Sequence, residues 1–410
     1  MLLWADLPTA AREGDSVSSK IEIPDGSPFG LDNLPYGVFS TGGAGPRVGV
    51  RVGDSVVDLA LLLGDDVFAA SSLNPFMAQG PRRWAWARAQ IQSLLGGGEV
   101  PEAAVYPLSS VTLHLPVEVA DYVDFYASEQ HASNVGRILR PGAPPLMPNW
   151  KHLPVGYHGR AGTVVVSGTG IVRPCGQRKL AGDDGPTFGP SVRLDIEAEL
   201  GFVVGVGSAP GTSIGVDDFA AHVFGAFLLN DWSARDIQAW EYVPLGPHLG
   251  KSFATSVSPW VVPLAALEPA RVPLPGQDPE PLPYLRESAS WGLDVDLLVS
   301  WNGEEVSRPP YRTMYWSPAQ MLAHMTVNGA SARTGDIFGS GTISGPSRFE
   351  RGAFLELTWG GAEPVTINGE QRTFLADGDE VIISATAPGA AGGRIGFGEV
   401  TGRIQPAAIR

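Results

Sequence analysis

The chain has 410 residues, enough for two or three domains and a substantial core, and a net charge of −15. That charge argues against nucleic acid or an anionic membrane as partner, since both select a basic face, and it means an anionic substrate must be met by local Arg, Lys and Tyr. The single cysteine, Cys175, leaves no intrachain disulfide and no cysteine zinc cluster.

Gly and Pro together make 88 of the residues, about 21% where roughly 12% is usual. Set among short Val/Ile-rich runs, they favour turn-rich β structure. The first fifteen residues lack an apolar run behind a basic start. The longest apolar stretches, such as 223–229, are too short to span a membrane, so the cytoplasm is the expected location.

In chain order, residues 1–30 read as an irregular extension. Short β-like runs at 36–39, 47–52 and 56–59 suggest a small barrel or sheet. Residues 81–95 read as a helix, with Pro81 in the first turn, Trp84, Ala87, Ile91, Leu94 and Leu95 on one face, and three glycines at 96–98 to end it. The stretch to Leu115 reads as a linker, and Cys175 sits in a turn-like RPCGQ context.

The rest is mostly β by pattern. Leu293, Val295, Leu297, Val299 and Trp301 alternate on one strand, and Asn302-Gly303 then signals a hairpin. Asn368-Gly369 and Asp377-Gly378 repeat that signal, with a strand at 380–384. The Pro-rich run 269–283 reads as an extended surface connection.

Four segments carry candidate chemistry. Residues 230–251, NDWSARDIQAWEYVPLGPHLGK, pack Asp231, Arg235, Asp236, Gln238, Glu241, Tyr242 and Lys251 among apolar residues, and unpaired buried charge is too costly to be incidental. Residues 193–204, RLDIEAELGFVV, alternate apolar residues with Asp195, Glu197 and Glu199. Same-face neighbours on a strand are about 7 Å apart, so two acids can reach one hard cation. A solvated acidic face explains the same pattern, and an acid nearby, with Asp231 and Asp124 as candidates, would decide between them.

Asp124 and His131 are seven apart and would share a face if helical, where His131 is either a hydrogen-bonded structural group or a general base. Tyr157, in LPVGYHGR, is either packed or a carboxylate contact. Glu356 reads as one acid on an apolar alternating strand, in need of a His or Arg partner. The Gly-rich run at 340–345 lacks the Lys and spacing of a phosphate loop.

Together NLPYGVFS (33–40), DYVDFY followed by QHASNVG (from 121), residues 147–160, LDIEAELGF, NDWSARDIQAWEYVPLGPHLGKSF, SPWVVP (258–263), GTISG and 376–381 resemble the fumarylacetoacetate hydrolase family. The resemblance runs from about residue 33 to near the end, and NLPYGVFS points to its full-length members. It implies a mainly β fold: a small SH3-like barrel domain at 31–115, then a larger β-sandwich roll with the catalytic apparatus at 116–410.

The implied activity is metal-dependent C–C hydrolysis of 4-fumarylacetoacetate, a diketo dicarboxylate, to fumarate and acetoacetate by a homodimer. The implied ligands of Mg²⁺ or Ca²⁺ are Asp124, Glu197, Glu199 and Asp231, with Lys251 and Thr255 behind them. His131 would be the base, oriented by Glu356. Arg235, Gln238 and Lys251 would line the oxyanion region. Tyr126, Arg140, Tyr157, Tyr242 and Thr342 would hold substrate. The extension has no counterpart, and His248 stands where the family pattern carries Phe. Rival readings are a relative acting on acylpyruvates or decarboxylating a 2-oxo-dicarboxylate, a Ca²⁺-stabilised β-sandwich binding module, and a structural scaffold.

Overall fold

The computed structural model describes residues 18–19, 21–98, 100–180 and 182–408; most of the expected extension lies outside them. Two sheets organise the chain. The larger runs through the N-terminal strands Tyr36–Ser40, Arg47–Val52 and Ser55–Asp58 and crosses into the second half where Tyr36 and Gly37 pair with Val261 and Trp260. The smaller has five strands, with Asp296–Trp301, Glu380–Pro388 and Arg394–Gln405 at its centre.

The strands Ala198–Val204 and Val223–Asp231 have both faces covered, as a sheet between two layers requires. Leu200, Phe202 and Leu228 pack towards the small sheet's Val299, Trp301 and Ile383, whereas Val203, Phe227 and Leu229 pack towards Tyr36, Val50 and Ile91.

The helix Pro81–Gly97 begins with Pro81 and ends against Gly98, whose φ of +81° is the left-handed cap that glycine adopts without strain. Ala87 and Ile91 are buried, but Leu94 falls outside the buried stripe and is exposed. The expected linker to Leu115 instead holds Val105–Pro107 and Thr112–His114, which pair with Ser55–Asp58 and Tyr36–Ser40. Asn302-Gly303 and Asn368-Gly369 close hairpins with positive φ at both residues. Asp377-Gly378 does not: the following strand Glu380–Pro388 pairs with Asp296–Trp301 and Arg394–Gln405, not with the strand before the turn. Leu293 belongs to a separate short strand, Gly292–Leu293. Cys175 opens a hairpin strand, Cys175–Arg178, rather than sitting in a turn. No helix among the described residues is long and apolar enough to cross a membrane.

Candidate active site and metal centre

Sheet register assembles the acids. Val223–Asp231, Ala198–Val204, Ile337–Gly339, Tyr122–Phe125 and Gly156–His158 lie side by side, with Glu199 opposite Leu229, Gly339 opposite Asp124, and Asp124 opposite Tyr157. Asp124, Glu197, Glu199 and Asp231 thereby bring carboxylate oxygens within 4.8 Å of one another, all buried. The acids are therefore not a solvated face. A Cβ at Gly339 would lie 2.7 Å from Glu199 Oε2 and 2.9 Å from Asp124 Oδ1, so only glycine lets these two carboxylates close in.

Asp195 leaves the group. The expected continuous strand breaks into Leu194–Asp195 and Ala198–Val204, and Asp195 turns to accept from Arg235 Nε (2.7 Å) and from the backbone N–H of Phe354 (2.7 Å) and Leu355 (3.0 Å). Those last bonds hold the start of a short helix, Phe354–Leu357, so Glu356 is helical and not on a strand. Asp124 and His131 likewise share no helix. Asp124 is in the strand Tyr122–Phe125, and His131 is in the helix Glu129–Leu139, whose start Ser128 caps by accepting from the His131 N–H.

His131 Nδ1 lies 2.5 Å from Glu356 Oε2. Burial opposes ionisation of Glu356. The His131 contact, with hydrogen bonds from Asn134 Nδ2 (2.9 Å) and Ser344 Oγ (2.9 Å), still holds its carboxyl below the usual range. An ionised Glu356 accepts, so Nδ1 carries the proton and Nε2 is left as the basic nitrogen. Nε2 lies 3.9 Å from Glu197 Oε1, beyond direct hydrogen bonding but near enough for one water to contact both.

The cations divide the carboxylates. Lys251 Nζ donates to Asp231 Oδ2 (2.8 Å) and to Glu197, and Arg235 Nη1 lies 2.8 Å from Glu197 Oε1. Burial disfavours a charged Glu197, but Lys251 and Arg235 outweigh it and its carboxyl is held well below the usual range. Asp231 also accepts from Thr255 Oγ1 (3.0 Å) and the Tyr157 hydroxyl (2.7 Å). Asp124 and Glu199 receive less: Lys251 and Tyr157 help Asp124, and Lys251 with one backbone N–H from Gly341 helps Glu199, too little to offset burial. Burial, then the neighbouring carboxylates, push both well above the usual range. Asp124 Oδ1 and Glu199 Oε1 are buried with no hydrogen-bond partner among the described residues. An orphaned buried acceptor costs about 1–3 kcal/mol, more when charged. A divalent cation bound by oxygen removes that cost, so this donor set fits a hard cation.

One cavity of about 300 Å³ opens onto this group, with Asp124, Glu197 and His131 in its wall. Arg235, Gln238 and Lys251 line it, as do Tyr126, Arg140, Tyr157 and Tyr242. Thr342 does not. It is buried outside the wall, its hydroxyl unpartnered among the described residues. His248 is exposed and borders a second, smaller cavity that reaches Asp231 and Lys251 from another side. Asn134, Ser344 and Gly339 were not singled out by sequence, and Asp195 was named only as a fellow of Glu197 and Glu199 on one strand face. Of these, Asn134 was the most accessible, one helical turn after His131 on the same face.

A model for the fumarylacetoacetate (FAA) hydrolase C-terminal domain matches residues 121–405, and one for the fumarylacetoacetase N-terminal domain matches 32–116. The fumarylacetoacetase of Homo sapiens is 47% identical, covering 95% of this chain and 99% of its own length. That of Caenorhabditis elegans is 46% identical over 96% of this chain and 100% of its own length. Among solved structures, a fumarylacetoacetate hydrolase from psychrophilic Exiguobacterium antarcticum shares the fold, with a TM-score of 0.57 at 17% identity, covering 91% of this chain and 99% of that one. Matched along both halves and at this identity, the chain belongs to the fumarylacetoacetate hydrolase family.

Proposed function

We propose that this enzyme hydrolyses the C–C bond of 4-fumarylacetoacetate to give fumarate and acetoacetate, the last step of phenylalanine and tyrosine catabolism. The observation that carries the reading is the His131–Glu356 pair set beside four clustered carboxylates, in one cavity with Arg235, Gln238 and Lys251. A binding module or scaffold has no use for that pair.

A β-diketone resists this cleavage because water is a weak nucleophile and a carbanion a poor leaving group. His131 Nε2 takes a proton from water while Glu356 holds the ring's tautomer. The hydroxide adds to the carbonyl next to the fumaryl group. The tetrahedral oxyanion needs donors not already spent. Lys251 has three N–H bonds and two carboxylate partners, Arg235 Nη2 is buried without a partner among the described residues, and Gln238 accepts from Arg235 through Oε1 (3.1 Å), leaving its amide N–H free. The C–C bond then breaks, and protonated His131 returns its proton to the acetoacetate carbon. Tyr126, Arg140, Tyr157 and Tyr242 hold the substrate's carboxylates and oxygens. Burial keeps both the Tyr126 and Tyr157 hydroxyls protonated; Tyr126 can donate to substrate, whereas the single O–H of Tyr157 is already given to Asp231 Oδ2.

Asp124, Glu197, Glu199 and Asp231 would hold Mg²⁺ or Ca²⁺, which when bound supplies Lewis-acid polarisation of the diketone oxygens and a fixed point of orientation. The family resemblance also supports domain limits at 31–115 and 116–410, a homodimer and a cytoplasmic location.

The test is loss of the diketone absorbance with purified protein, before and after chelation and metal restoration. Metal-dependent loss with fumarate and acetoacetate as products is expected. No loss with metal present, but cleavage of an acylpyruvate, would overturn the substrate assignment.

A further inference from the structure

A third cleft, of about 420 Å³, shares the walls Leu139, Arg235 and Leu355 with the catalytic cavity. It lies where the end of the helix Glu129–Leu139, the hairpin after Cys175–Arg178 and the helix Arg235–Glu241 meet. Its lining carries Arg137, Lys179, Arg193 and Arg235 against one acid, Asp236. Asp236 is already spent, accepting from Ser191 Oγ (2.6 Å) and Val192 N–H (2.9 Å) with Arg178 at 3.9 Å.

Arg137, Lys179 and Arg193 are different. Arg137 gives one N–H to Asn134 Oδ1 (3.3 Å), Lys179 lies 5.9 Å over Trp240, and Arg193 lies 5.8 Å over Phe374. None of the three has a carboxylate partner among the described residues, in a chain of net charge −15; Arg308 and Arg312 are paired, while Arg82 and Arg160 also lack a partner there but line neither this cleft nor the catalytic cavity. The overall field repels a dianion, so unpaired cations gathered beside the catalytic cavity have a use that scattered ones do not. Within a Debye length of roughly 10 Å at 0.1 M salt they set the local potential.

We propose that this cleft is an anion-docking site that captures a carboxylate of the dianionic substrate and passes it to Arg235 at the shared wall. The inference rests on the catalytic reading above for the identity of the substrate, though not for the binding of an anion. Arg137, Lys179 and Arg193 act by charge and touch no reacting atom.

The test uses the full chain with metal bound. At low ionic strength R137Q/K179Q/R193Q is expected to lose about tenfold in kcat/KM, mostly through KM, and the loss should shrink in about 0.5 M salt, as steering by charge requires. The variant R137K/R193K, which keeps charge and changes shape, should stay near wild type. A kcat/KM in the triple variant equal to wild type at low salt overturns the proposal, as does a loss that salt does not alter. Were the wild type not to cleave the diketone at all, the catalytic reading would fall separately. The cleft would then be judged by calorimetric titration with fumarate: weaker binding to the triple variant supports it and equal binding overturns it.

Discussion

Glu197 and Glu199 stand two residues apart, both buried and both in the same carboxylate group, yet their surroundings drive them in opposite directions. Glu197 is met by Lys251 and Arg235 and ionises easily. Glu199 receives one backbone N–H, from Gly341 (2.9 Å), leaves one oxygen without a partner among the described residues, and resists ionisation because of burial and then Asp124. The group therefore has a neutralised half, Glu197 with Asp231, and a bare half, Asp124 with Glu199. The fixed cations cover the side facing Arg235 and Lys251, and a bound cation has to cover the other.

The hardest way to break the contrast is to move a residue from the satisfied class to the bare one. His131→Ala does so for Glu356, which would keep only Asn134 and Ser344 as donors. Turnover is expected to fall by about 10³-fold or more, from loss of the base, while metal affinity by calorimetry stays near wild type. Near-wild-type turnover would remove His131 as the base.

Glu197→Gln and Glu199→Gln sharpen the comparison directly. In metal-free protein, Glu197→Gln deprives two buried cations of a shared partner and should cost about 3 kcal/mol of unfolding free energy. Glu199→Gln replaces a carboxyl whose charged form burial and Asp124 already disfavour, and should leave metal-free stability unchanged or raised. In the same variant, divalent-metal affinity should drop by about 100-fold. Chemical denaturation with chelator reads the first pair of outcomes and calorimetry the second. Equal destabilisation by both substitutions would erase the distinction between the halves.

The pH dependence follows from the same shifts. Asp124 and Glu199 have folded pKa values raised above their unfolded values of about 4, so the folded state binds more protons and stability falls as pH rises through the raised values. Glu197 works the other way: its contribution is present above its unfolded value and is lost as pH drops below it. Metal competes with the protons on the bare half. The gain in melting temperature on adding Mg²⁺ or Ca²⁺ should therefore grow as pH rises above the unfolded value of about 4. A gain independent of pH would mean the bare half is already ionised without metal.

Much of this division was hidden in the sequence. The motifs named both glutamates and located Asp231 and Lys251, but period-two alternation put Asp195 with them on one face. The strand break at Ile196 and Glu197 defeats that reading, because alternation holds only while the backbone stays extended. Glu356 was misread for a related reason. Its short helix is held by the distant Asp195 carboxylate, a tertiary contact that local pattern cannot reveal. Hairpin signals succeeded at Asn302-Gly303, where the positive φ values are demanded by the turn itself, and failed at Asp377-Gly378, where strand partners are chosen by the sheet.

Thr255→Val makes the finest cut. Thr255 Oγ1 donates to Asp231 Oδ1, on the neutralised half, where Lys251 and Tyr157 already meet the other oxygen. Losing one of three side-chain donors leaves Asp231 less firmly oriented. Groups behind a metal ligand typically contribute 10–100-fold to affinity, and redundancy places this one at the low end. Metal affinity should fall about tenfold, with kcat at saturating metal within about threefold of wild type. A loss as large as that of Glu199→Gln would show that Asp231 depends on a single hydroxyl, and that the neutralised half is less secure than its two cations suggest.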